Sequence, residues 1–139
     1  MNNHHVLLIT SLIMIVPLIY IIFFIEDPDE YMIFLALLLV LNSILSILFW
    51  INPKRYSFVH KLDGFFAKLS TLLLIIYVLF IKTLPLYYKA VFLTFVGAFI
   101  YSFYKSNEYS SEKWCCDGHI FYHSLTHVFG LSGLSFAFI

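Results

Sequence analysis

Apolar residues fall along this chain in long uninterrupted blocks separated by short polar breaks. The first block runs from about Val6 to Ile25 and the second from about Tyr31 to Ile51. The third covers about Leu62 to Ile81, the fourth about Leu86 to Tyr104, and the fifth about Ile120 to Ile139. Each is close to the ~20 residues a helix needs to cross a bilayer. Three breaks are short: Glu26-Asp27-Pro28-Asp29-Glu30, the stretch from Asn52-Pro53-Lys54-Arg55-Tyr56 onward, and Lys82-Thr83-Leu84-Pro85. The fourth, from Lys105 to Gly118, is longer. With no linker, repeat or low-complexity tract, the pattern predicts an all-α polytopic transmembrane bundle of about five helices, a single domain over residues 1–139.

Composition strengthens that expectation. Hydrophobic residues make up 62% of the chain and charged residues 12%, against roughly 45–50% apolar in soluble domains. Sixteen Phe and ten Tyr bring the aromatic share to 20%, which suits helices ending in interfacial aromatic belts. A formal net charge of zero gives no reason to expect nucleic acid as a partner. The first block lacks a basic leading region, and no Ala-x-Ala-like site precedes Glu26, so it is expected to stay as a transmembrane helix kinked at Pro17.

Basic residues set the expected orientation. Lys54, Arg55 and Lys61 lie between the second and third blocks, and Lys105 and Lys113 between the fourth and fifth. The first break carries only acids, and the third has Lys82 at its edge with Lys89 just beyond. The N-terminus is therefore expected in the cytoplasm and the C-terminus outside or in a lumen. Cys115 and Cys116 are adjacent and form no C-x-x-C spacing, which suits a membrane-edge or acylated pair better than a disulfide framework. Metal ligation by either is the alternative.

Candidate chemistry concentrates at one end of the expected bundle. His119, His123 and His127 recur every four residues and so share one helical stripe. Ser43 and Ser46 near the end of the second block, and His60 and Asp63 entering the third, reach the same membrane face. Ionisable groups within a membrane are costly and tend to mark ion, metal or proton sites. His123-x-x-x-His127 lets two imidazoles reach one zinc ion from successive turns, with His60 or His119 as a third ligand. Zinc would acidify a bound water, Asp63 would take its proton, and Ser46 would hold the water or the developing oxyanion. The structural alternatives are open for every residue: backbone-bonded or interfacial histidines, a helix-start Asp63 favoured by the dipole, and serines that pack helices.

These residues resemble the CREST superfamily, which includes alkaline ceramidases, progestin and adiponectin receptors, the hemolysin III group and Per-like proteins. His123-Ser-Leu-Thr-His127-Val-Phe-Gly is similar to the family's last helix, His60-Lys-Leu-Asp63-Gly to the start of its third, and Ser46-Ile-Leu-Phe-Trp50 to its Ser-x-x-x-His element. The resemblance implies a shortened form of a seven-helix core, a Zn2+ cofactor, and hydrolysis of a lipid amide or ester. Its partner would be a membrane lipid, such as a sphingolipid or another amide lipid. Ser46, Asp63, His123 and His127 would inherit the family roles. Trp50 stands where the family has a histidine, and Asp117-Gly-His119-Ile-Phe-Tyr-His123 also resembles the Per-like Asp-x-His-x-x-x-His, which would move the register to His119 and His123. The competing expectation is a non-catalytic relative retained for lipid binding or helix assembly. A third, haem held between His60 and His123, follows from the inability of an i, i+4 pair to sandwich a porphyrin.

Overall fold

The structure, a computed structural model, describes residues 5–138. Its elements are α1 (His5–Ile13), α2 (Val16–Phe24), α3 (Glu30–Ile51), α4 (Phe58–Ile76), α5 (Leu86–Glu112) and α6 (Asp117–Leu134). A π-helical turn, Tyr77–Ile81, extends α4, and a 3-10 turn, Ser135–Ala137, follows α6. No strand occurs among the described residues. Four stretches are long and apolar enough to cross a membrane: His5–Phe24, Glu30–Ile51, Phe58–Ile81 and Leu86–Glu112. The fifth expected span is a helix, but α6 is not one of the four. His119, His123, Ser124, Thr126 and His127 dilute its apolar character. Ile139, the expected last residue of that span, lies outside the described residues.

Local sequence explains the boundaries. Pro17, in the first turn of α2, cannot donate a backbone hydrogen bond, and the first span breaks at Met14 and Ile15 just before it. Asp29 caps α3 by accepting from the Met32 N–H at 2.8 Å. Its other oxygen accepts from the Tyr77 hydroxyl at 2.5 Å, so one carboxylate starts α3 and ties it to the end of α4. Lys82 closes the same end of the bundle by donating to the Ala137 carbonyl at 2.6 Å.

Most of the expected long break after Tyr104 is instead about two more turns of α5, which runs to Glu112. Lys105 and Glu108 pair one turn apart at 2.7 Å. On the opposite side Ser102, Ser106 and Ser110 repeat every four residues and are buried, a strip of small side chains at which α6 comes close. Hydropathy ends at Tyr104, but this packing surface continues.

Close packing joins α5 to α6, α3 to α4, and α1 to both α3 and α6. Two apolar clusters occupy opposite ends. Leu35, Leu39, Val78, Phe92, Leu134 and Phe136 belong to the larger one, and Leu7, Phe49, Trp50 and Ile120 form the smaller. Outward-facing side chains are apolar too, with Phe23 74% and Leu86 82% exposed. Helices apolar on both inner and outer faces are consistent with a membrane protein. Between α4 and α5, which do not pack closely, a cavity enters the bundle.

Candidate functional site

The histidines divide into two groups with different duties. His60 and His119 belong to helix starts. In α4, the Ser57 side chain accepts from the His60 N–H at 3.2 Å, while His60 Nδ1 accepts from the Tyr56 N–H at 3.0 Å. In α6, Cys116 Sγ accepts from the His119 N–H at 3.5 Å, and His119 Nδ1 accepts from the Cys115 N–H at 3.2 Å. Both motifs begin with a left-handed residue, Tyr56 at φ 62° and Cys115 at φ 58°. This is similar to a capping box, with imidazole in the place of Glu or Gln and accepting from the N–H one residue before the cap. A neutral ring whose Nδ1 accepts carries its proton on Nε2, so neither nitrogen is free to ligate.

Aromatic packing locks the two caps together. His60 stacks on Phe49 with ring centroids 4.6 Å apart and planes within 6°. Trp114 lies 5.4 Å from His60 and 4.9 Å from His119, bridging the starts of α4 and α6. Its Nε1 donates to the Pro53 carbonyl at 3.4 Å. Burial and the neighbouring Cys116 push the Cys115 thiol above its ordinary pKa, away from the thiolate that a metal ligand needs. We expect His119→Gln to retain the cap and its stability, whereas His119→Ala costs about 1 kcal/mol. Unfolding in mixed detergent micelles, followed by circular dichroism, measures both.

His123 and His127 face the interior, yet they do not converge. Their ring centroids are 5.1 Å apart and the planes cross at 74°. His127 Nδ1 lies 2.9 Å from Thr10 Oγ1 on α1, whereas His123 Nδ1 lies 3.3 Å from Ser106 Oγ on α5. Each ring is thus turned toward a different neighbouring helix. Trp50, fully buried, packs edge-on against His123 at 5.2 Å and fills the space beside it. Thr10 and Ser106 were not legible as partners, since hydroxyls recur throughout these helices without a spacing that singles them out.

The expected Zn2+ cofactor is therefore corrected. Among the described residues, no group of three or more His, Cys, Asp or Glu is arranged to hold a metal ion. The third-ligand candidates His60 and His119 are committed to caps, and His123 and His127 are committed to hydroxyls on separate helices.

What the structure does bring together is the rest of the polar set, around the cavity. Ser43, Ser46, Asp63, His123 and His127 all line it, and His60 and His119 do not. The cavity has a volume of about 320 Å³. Phe92, Phe95, Phe99 and Phe103 of α5 supply an apolar wall, with Leu35, Leu39 and Leu74 opposite. Around its polar end the hydroxyl groups bond to one another and to backbone. Ser43 donates to the Ser11 carbonyl at 2.5 Å, and the Ser11 and Ser46 hydroxyls are 2.9 Å apart. Asn42 donates to Ser70, leaving its buried Oδ1 without a donor. Asp63 is 9% exposed and makes no hydrogen bond or ion pair among the described residues.

Comparison with known proteins finds no family model, no curated protein and no solved structure that matches this chain.

Proposed function

We propose that this chain is an integral membrane protein that holds the hydrocarbon tail of a membrane lipid in the cavity between α4 and α5, without a metal. The observation that carries this reading is the shape and lining of that cavity: about 320 Å³, walled by aromatic rings and closed by a polar end. Small-molecule sites commonly have roughly 300–1,000 Å³ and this same mixture of apolar wall and few polar groups. Its mouth includes Lys68 and Leu72, both exposed, where α4 and α5 part. In a bilayer that gap opens sideways into lipid, so a tail enters without crossing water.

The polar residues supply the second half of an amphiphile's needs. Asp63 sits ~8 Å along α4 from its first residue, and Asn42 sits ~14 Å back from the end of α3. A lipid with its head near these groups and its tail running toward Leu35 and Phe92 follows the gradient that the lining offers. Lys54, Arg55, Lys61 and Lys113 gather at that same end, which favours placing it in the cytoplasm together with the start of α1.

Titrating the purified protein in detergent with radiolabelled hexadecanol tests this. The reading expects saturable binding that reaches one molecule per chain. Uptake that rises linearly with concentration, as simple partition into micelles does, would overturn it.

A further inference from the structure

The donors and acceptors around the polar end of the cavity are unequal, and the inequality says what kind of head belongs there. Hydroxyl protons are already spent: Ser11 on Leu7 at 2.7 Å, Ser70 on Phe66 at 2.7 Å, Thr71 on Ala67 at 2.9 Å and Thr126 on His123 at 2.5 Å, each on a backbone carbonyl. One of the two Asn42 amide N–H groups is spent on Ser70. Two acceptors remain unmet, the Asp63 carboxylate and Asn42 Oδ1, both on side chains at least nine-tenths buried. A buried acceptor without a donor costs free energy, and a buried carboxylate without a cation costs more. Lys68 also lines the cavity, but it lies exposed at the mouth and is not paired with Asp63.

We infer that the lipid taken by this cavity is a single-chain amine, whose ammonium head pairs with Asp63. This rests on the lipid-binding reading above and narrows it. An ammonium group has three donors and no acceptor, the complement of what the lining leaves unmet. A carboxylate head would add an acceptor to acceptors and would meet like charge at Asp63. An uncharged alcohol would satisfy one acceptor and leave the carboxylate without a counter-ion. A small head is also required, because Asp63 lies inside the bundle and not at its rim.

The test compares three probes of one chain length at pH 7: hexadecylamine, hexadecanol and hexadecanoic acid, each titrated into the full-length protein in a neutral detergent. The amine is expected to bind at least about tenfold more tightly than the alcohol, as charge-assisted hydrogen bonding to a buried acid implies. Asp63→Asn, close in shape, is expected to abolish that preference, and circular dichroism reports whether the variant is folded. Equal binding of amine and alcohol, or tightest binding of the acid through Lys68, overturns the inference while the cavity remains a lipid site. If none of the three saturates, the lipid-binding reading itself fails. Should Asp63→Asn not fold, the ranking of the three probes on the unaltered protein decides alone.

Discussion

Trp50→Ala is expected to destabilise the bundle by about 3 kcal/mol, the lower part of the range for emptying a buried Trp or Phe site. Trp50 is fully buried, with ring centroids 4.7 Å from Phe49, 5.9 Å from His119, 5.2 Å from His123 and 6.4 Å from Trp114. It therefore joins the end of α3 to α6 and to the connection before it. The loss is held to the low end because Trp50 Nε1 is buried without an acceptor, so deleting it also removes a desolvation penalty of about 1–3 kcal/mol. Trp50→Phe keeps most of the ring packing and removes the orphaned N–H, and its cost should stay below about 1.5 kcal/mol. Detergent-induced unfolding monitored by circular dichroism resolves the two variants. A Trp50→Ala protein as stable as the parent would mean that this aromatic cluster does not hold the helices together.

The second large effect is expected at Gly64, beside Asp63 on the cavity wall. A Cβ built at Gly64 meets nothing within 4 Å, so the position faces open space, not a neighbour. Gly64→Leu introduces four carbons there, the first of them into open space, and it replaces a poor helix former with a good one. The added side chain occupies room that about four methylenes of a bound tail would otherwise fill. At ~0.8 kcal/mol per buried methylene this removes about 3 kcal/mol of binding, on the order of a hundredfold in Kd. Thermal stability should hold or rise while hexadecanol binding falls. Unchanged affinity in a folded Gly64→Leu protein would place the tail elsewhere.

How much of this was written plainly in the sequence differs from residue to residue. The helices were, because uninterrupted apolar blocks of bilayer length leave few alternatives, and Pro17 marks a break by its chemistry; the start of α4 at Phe58, capped by Ser57, lies before the expected Leu62. The extension of α5 was not, since hydropathy alone ends a span at Tyr104 and cannot see that Ser106 and Ser110 face α6. The four starting positions of the cavity, Ser46, Asp63, His123 and His127, were legible as a group from their shared membrane face.

What they do was not legible. His60 and His119 carry a sequence signal that points to their actual duty, Ser57-x-x-His60 and Cys116-x-x-His119, each a capping spacing directly before an apolar run. Beside the His123-x-x-x-His127 pair, that signal is easily read as additional metal ligands. Trp50 carried the decisive warning, because an indole fills a site that an imidazole would need and supplies no ligand atom. Orientation was the missing information: four-residue spacing puts two rings on one stripe but does not decide whether their nitrogens point at one another. Here Thr10, 117 residues away along the chain, and Ser106, on the preceding helix, decide it.

Native mass spectrometry of the protein released from lipid nanodiscs tests the central claim most directly. We expect the parent chain to retain one lipid molecule and Gly64→Leu, equally folded, to emerge without it. Parent protein that is free of lipid under those conditions, or the same retained lipid on both proteins, would contradict the account.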